Sequence, residues 1–124
     1  MGSGVSTMVL SRESNVIHEE VHKHPVVVYT MNNCSYCIKA KNELNSHGIL
    51  YVERNLSVDT SSNIQALMEL TRCKTVPQIF VCGRFIGGYN ELRDHRANLT
   101  KMIEQCSSDG VTFKPEIDNV MSRI

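Results

Sequence analysis

The apolar run Val26-Val27-Val28-Tyr29-Thr30 leads through Met31-Asn32-Asn33 into Cys34-Ser35-Tyr36-Cys37. A continuous β-branched run of this length reads as a fully buried strand. The residues that follow it place C-x-x-C at the start of a helix. Three positions apart on a helix, the two sulfurs share a face and lie within bonding reach of each other. The first sulfur also meets the unpaired backbone N–H groups and the positive end of the helix dipole, which favour an anion. An ordinary thiol with a pKa near 8.5 is only about 3% thiolate at pH 7, so lowering it by roughly two to three units makes a nucleophile. The motif alone leaves thiol–disulfide chemistry, half a zinc site, and a pair of core cysteines open.

Composition narrows these readings. The chain has 124 residues, with 13 basic and 13 acidic side chains and a formal charge of zero. That length suits one domain able to bury roughly two thirds of its unfolded surface. The balanced charge offers no basic excess for nucleic acid or an anionic membrane. Five cysteines, at 34, 37, 73, 82 and 106, are an odd number. They fit a reducing compartment with one working pair better than a full disulfide framework. No second C-x-x-C accompanies the first, and Cys73, Cys82 and Cys106 are too widely spaced to make one, which argues against zinc. No stretch is apolar enough for a secretory signal or a stable membrane span. A cytoplasmic setting is therefore expected, with a mitochondrial one as the alternative. Met1-Gly2-Ser3-Gly4-Val5-Ser6 fits the short N-myristoylation pattern and also looks like an expression leader.

Residues 1–13 read as a loose N-terminal segment, 14–106 as the folded domain, and 107–124 as a tail without a core pattern. The spacing of Val16, Ile17 and Val21 predicts a helix from Ser14 to Lys23, capped by Ser14 or Asn15 and ended by Pro25. A helix over 35–47 is expected to bury Ile38, Ala40 and Leu44, with Gly48 at its end. A strand over Leu50–Asn55 follows, then a helix over 60–70 whose apolar face is Ile64, Leu67, Met68 and Leu70. Ile79-Phe80-Val81 and Arg84-Phe85-Ile86 form a hairpin joined by Cys82-Gly83, where Asn would tolerate a positive φ better than Cys. Gly87-Gly88 ends it, and one last helix runs from Asn90 to Gln105. The order αβαβαββα predicts an α/β, thioredoxin-like fold, a four-stranded mixed sheet with helices on both faces.

At these positions the chain resembles the dithiol glutaredoxins, over about residues 16–106. The resemblance rests on C-S-Y-C after the first strand, Thr75-Val76-Pro77 before the hairpin and Gly87-Gly88 after it, in order and spacing together. It implies glutathione-dependent reduction of protein disulfides and of glutathione–protein mixed disulfides, by a monomer. Carried over by position, Cys34 is the nucleophile and Cys37 the buried resolving thiol. Tyr36 flanks the glutathione groove. Pro77 matches a cis-proline that turns the Val76 backbone, with Thr75, toward an antiparallel tripeptide. Gly88, Tyr89 and Asn90 fall where the γ-glutamyl end binds at the last helix's N-terminus.

Four positions depart from the family's pattern. Met31 stands where a lysine is common, so weaker glutathione binding or a less depressed Cys34 pKa is expected. Asn90 replaces an acid, with Glu91 beside it as a substitute. Arg72 replaces a turn glycine, and with Lys74 it offers compensating cations. Ser35 replaces proline, and C-S-Y-C members include some that hold a [2Fe–2S] cluster between two subunits, through the nucleophilic cysteine and glutathione. A cluster-bridged homodimer acting as carrier or sensor, with Cys34 as its metal ligand, is thus the alternative function. A groove glutamine would fall near Gln65. Thioredoxin is the nearest other enzyme, but it carries tryptophan before the first cysteine, and this chain has none. Cys73 and Cys82 read as small buried hydrophobes, and Cys106 as a candidate for regulatory oxidation.

Overall fold

A computed structural model describes residues 11–107, so the extreme N-terminus and the tail beyond 107 lie outside the described residues. Helix α1 (Arg12–Lys23) is followed by β1 (Val26–Thr30), α2 (Ser35–Ser46), β2 (Val52–Asn55), a 3-10 turn (Leu56–Val58) and α3 (Ser61–Thr71). Then come β3 (Gln78–Val81), β4 (Arg84–Gly87), α4 (Tyr89–Asp94), a second 3-10 turn (Arg96–Asn98) and α5 (Leu99–Ser107). The sheet order is β2-β1-β3-β4. β1 runs parallel to β2 and antiparallel to β3, which pairs antiparallel with β4 across an irregularity at Ile79/Phe80. This is the expected mixed, thioredoxin-like sheet.

Both faces of β1 are covered, which is why its five residues are all buried. Val27 and Tyr29 meet Ile17 and Val21 of α1 and Ala66 and Leu67 of α3. Val26 and Val28 point the other way, toward Ala40 and Leu44 of α2, Leu92 of α4 and Leu99 of α5. A polar seam braces the first face. The Tyr29 hydroxyl donates to Glu20 at 3.1 Å, and Arg54 pairs with the same carboxylate. Burial, reinforced by Glu20, pushes the Tyr29 phenol well above its ordinary range.

Local details differ from the sequence reading. Helix α1 starts earlier, because Ser11 accepts the Ser14 N–H as N-cap in place of Ser14 or Asn15. Ile38 is 55% exposed and Leu70 38% exposed. Cys37 takes the core position expected for Ile38, and Ala66 the one expected for Leu70. β2 begins at Val52 rather than Leu50. Gly48, at φ +68°, closes α2 as expected, with Gly48 N–H on Asn45 and Ile49 N–H on Leu44. The single last helix is instead three pieces. Asp94, His95 and Asn98 are weak helix formers, and Arg96 is drawn to Glu43 of α2 at 2.7 Å. There the chain tightens into a 3-10 turn before α5.

Candidate functional site

The loop from β1 to α2 sets the position of Cys34. Asn33 takes a left-handed φ of +57°, which asparagine tolerates better than most residues. Asn32 is pinned twice: its N–H donates to Ser57 Oγ at 2.8 Å, and its side-chain oxygen accepts from Asn55 at 2.9 Å. Cys34 is then the N-cap of α2, with extended backbone, and its Sγ accepts the Cys37 N–H at 3.1 Å. A donor aimed at the sulfur at a helix N-terminus favours the thiolate. Cys37, one turn on, is 2% exposed and disulfide-bonded to Cys34, with Cα atoms 5.2 Å apart. Behind the site, Glu53 of β2 accepts from Thr30 at 2.7 Å and from Lys41 of α2 at 3.0 Å. The Thr30 hydroxyl holds its carboxyl below the usual range against the opposing effect of burial, and Lys41 adds to the lowering.

The facing wall is built by the turn before β3. Arg72 ends α3 at φ +59°, a left-handed position that explains why glycine suits it. The Val76–Pro77 peptide is cis, and the Val76 carbonyl oxygen lies 3.8 Å from Cys34 Sγ. Gln78, fully buried beside Pro77, donates through Nε2 to the carbonyls of Cys73 at 2.8 Å and Thr75 at 3.1 Å. One amide thus shapes the segment that carries Thr75 and Val76. Its Oε1 is buried without a hydrogen-bond partner.

Between these walls lies a cleft of about 600 Å³. Tyr36, Thr75, Val76, Pro77, Gly88, Tyr89 and Asn90 all line it, together with Cys73, Phe85, Gly87 and Glu91. Tyr36 and Tyr89 stand across its mouth with ring centroids 6.1 Å apart, Lys39 over the first and Arg93 over the second. Gly87 is required on two counts: its φ is +121°, and a Cβ there would collide with the Glu91 side chain. Glu91 Oε1 accepts the Gly88 N–H at 2.8 Å, so the start of α4 already carries a carboxylate of its own. Glu91 therefore sits in the cleft as a cap as well as beside Asn90.

Other expected residues stand elsewhere. Met31 is packed against the first core cluster, so it puts no charge near Cys34. Arg72 and Lys74 are exposed and do not line the cleft. Gln65 donates to Glu69 on α3, outside the cleft. Two features of the cysteines escaped the sequence reading. Cys73 is a free, half-buried thiol on the cleft wall rather than a core hydrophobe. Cys82 is not a lone buried hydrophobe, nor Cys106 an isolated thiol, for they are disulfide-bonded to each other. The chain thus has two cysteine pairs and one free cysteine. The warning sign was Cys82 itself, at φ +52° in a loop with Gly83 at +82°.

Comparison with known proteins agrees with this architecture. The Glutaredoxin family model matches residues 26–86, from β1 to β4. The chain is 36% identical over 96 residues to bovine "Glutaredoxin-2, mitochondrial", covering 74% of this chain and 61% of that protein's length. It is 34% identical over 84 residues to "Glutaredoxin 1" of Rickettsia typhi, covering 65% of this chain and 81% of the relative. Among solved structures, holo glutaredoxin C1 from Populus tremula x tremuloides superposes with a TM-score of 0.71 at 28% identity, covering 77% of this chain and 99% of that one. A buckwheat glutaredoxin–glutathione complex superposes with a TM-score of 0.71 at 25% identity, over 77% of this chain and 90% of that one. With Cys34 and Cys37 at the head of α2, a cis-proline facing them and these relatives, the chain belongs to the glutaredoxin family, in its dithiol form.

Proposed function

We propose that this chain reduces mixed disulfides between glutathione and proteins, and protein disulfides, using glutathione as reductant. The carrying observation is the sulfur of Cys34, which receives the Cys37 N–H at 3.1 Å and lies 3.8 Å from the carbonyl oxygen of Val76, a residue that lines a peptide-sized cleft. In the reduced enzyme, the Cys34 thiolate attacks the glutathione sulfur of a mixed disulfide. The target protein leaves as a thiolate and takes up a proton, and Cys34 is left bonded to glutathione. A second glutathione thiolate then attacks the bound glutathione sulfur, releasing glutathione disulfide and the Cys34 thiolate. Alternatively, Cys37 attacks Cys34, expels glutathione, and forms the Cys34–Cys37 bond seen here. The first exit needs only Cys34.

The backbone edge at Val76 and the walls from Gly88 to Asn90 suit an extended tripeptide whose sulfur is aimed at Cys34. Glutathione in the buckwheat complex supports the same choice of ligand. The test is single-cysteine kinetics. Cys34→Ser should abolish turnover of a glutathionylated peptide, a loss of at least about a hundredfold for a missing nucleophile. Cys37→Ser should retain much of it. Equal loss in both variants would replace the monothiol route with a dithiol one.

A second reading is favoured by the burial of Cys37, which leaves Cys34 as the outward sulfur of the pair. Two chains and two glutathiones would then supply four sulfur ligands to a [2Fe–2S] cluster, which would add electron-transfer or cluster-donor chemistry. Among the described residues of one chain, no three His, Cys, Asp or Glu side chains are grouped to hold a metal. Such a cluster therefore requires both the second chain and glutathione. Anaerobic reconstitution with iron, sulfide and glutathione should yield a coloured dimer that Cys34→Ser loses. A colourless monomer would leave the oxidoreductase alone.

A further inference from the structure

We propose that Cys82 and Cys106 form a second redox site. It is a clasp that closes α5 onto the β3–β4 hairpin and stays closed under conditions that open Cys34–Cys37. The turn itself points to it. Both loop residues have positive φ, +52° at Cys82 and +82° at Gly83, a geometry in which glycine or asparagine is at ease and cysteine is not. A cysteine held there has its sulfur bonded to Cys106 on α5, 24 residues further on, with Cα atoms 5.5 Å apart. At its other end, α5 is anchored by Leu99, 1% exposed, while Met102 and Ile103 are only half-buried. The bond thus fastens the free end of the helix.

The surroundings of the two pairs are of opposite sign. Cys34 Sγ faces an N–H donor at a helix start. Cys82 Sγ lies 3.1 Å from the Met102 carbonyl oxygen, and Cys106 Sγ lies 3.4 Å from that of Ile103, within the last turns of α5. Carbonyl oxygens and the negative end of a helix dipole disfavour a thiolate. These oxygens give the thiolate form no stabilisation and make the sulfurs poor leaving groups in exchange, so the closed bond resists reduction. A cavity of about 450 Å³ lined by Cys82, Arg84, His95 and Met102 opens beside the bond and gives a small disulfide or thiol a way in.

Closure is balanced by a small-molecule disulfide such as glutathione disulfide. The thiolate of Cys82 or Cys106 attacks one sulfur and expels one glutathione thiolate. The remaining cysteine thiolate attacks the protein sulfur of that mixed disulfide and expels the second. Two protein thiols lose two electrons and two protons, and one glutathione disulfide becomes two glutathione thiols. The proposal does not depend on the assigned role of Cys34, because its readouts are bond order and helix protection rather than turnover.

The full-length protein, equilibrated in graded glutathione buffers, alkylated and mapped by peptide mass, tests it. Cys34 and Cys37 should become half-modified in buffers at least tenfold less reducing than those needed for Cys82 and Cys106. Modification of Cys82 and Cys106 together with or before the α2 pair would overturn the proposal. Cys82→Asn, which suits the turn, gives a second measurement. Amide hydrogen exchange across residues 99–106 should quicken at least tenfold relative to the oxidised wild type. Unchanged exchange would mean that the bond clasps nothing.

Discussion

The cysteine pair on α2 and the pair joining the hairpin to α5 use the same bond for different ends. One sulfur of the first caps a helix start, and the two cysteines are three residues apart. The second lies among backbone carbonyls near a helix end and spans 24 residues. A short link at a donor-rich position is easy to open and barely restrains the unfolded chain. A long link away from such donors is harder to open and restrains it more. On loop-closure entropy, the first bond is worth about 2 kcal/mol and the second about 3.5 kcal/mol. Where a disulfide sits on a helix, and how much chain it closes, separate a working bond from a holding one.

The largest effect should therefore be on stability, in the pair that lies outside the cleft. Cys106→Ser is expected to lower the stability of the oxidised protein by about 3 kcal/mol, or roughly 10 °C in Tm. Cys37→Ser should cost about half as much. Urea unfolding of the oxidised variants checks the order, and equal losses would erase the distinction between the pairs.

The wall facing Cys34 gives the next effect. Gln78 joins two backbone carbonyls of the turn that carries Thr75 and Val76. Gln78→Leu strips both of their donor, and each carbonyl left unpaired costs on the order of 1 kcal/mol. Removing the unpartnered Oε1 offsets part of that. The expected result is a KM for a glutathionylated peptide raised about tenfold with kcat nearly kept, while Cys82–Cys106 stays intact. A kcat loss at constant KM would move Gln78 from shaping the cleft to supporting the sulfur.

Much of this comparison was legible in the sequence for one pair and hidden for the other. The α2 pair announces itself because strand, cap and C-x-x-C are contiguous, so local rules suffice. The cleft was legible through the family resemblance that Thr75-Val76-Pro77 and Gly87-Gly88 carry, and the hairpin between them brings both to it. Cys82 and Cys106 are distant in sequence, and their approach depends on where the last helix breaks. That break rests on a tertiary contact, Arg96 with Glu43, which periodicity does not register. Gln78 was hidden for a related reason. A polar side chain next to a proline gives no signal of burial until the strands beside it are in place.

Met31 tests how much the helix start does unaided for Cys34. With no cation at that position, the N–H of Cys37 and the dipole of α2 are the favourable electrostatics on view. Met31→Lys should lower the Cys34 pKa and tighten glutathione binding by about 1 kcal/mol, the size of an exposed charge interaction. Thiolate absorbance against pH and a glutathione titration measure both. The side chain is half-buried, so Met31→Gln, equally polar but neutral, separates charge from lost packing. Should Lys and Gln behave alike, the helix start already supplies what the sulfur needs.

The smallest effect concerns Glu53, which braces α2 through Lys41 and β1 through Thr30 against β2. Its folded pKa is lowered, chiefly by the Thr30 hydroxyl and then by Lys41. The native state therefore prefers the carboxylate, and the unfolded chain binds a proton first as pH falls. The stabilisation is complete above the unfolded pKa, near about 4.3, and is lost as pH drops through the lower folded value. The group is largely exposed, so the contribution is small. Glu53→Gln keeps an acceptor for Thr30 and removes the charge. Denaturant midpoints measured from about pH 6 down to about pH 3 should fall less steeply in this variant than in the wild type. Parallel curves would show that the brace adds nothing by charge. A shifted Cys34 titration in Glu53→Gln would be more telling, because it would tie the reactivity of the first pair to the packing of α2 and not to its N-terminus alone.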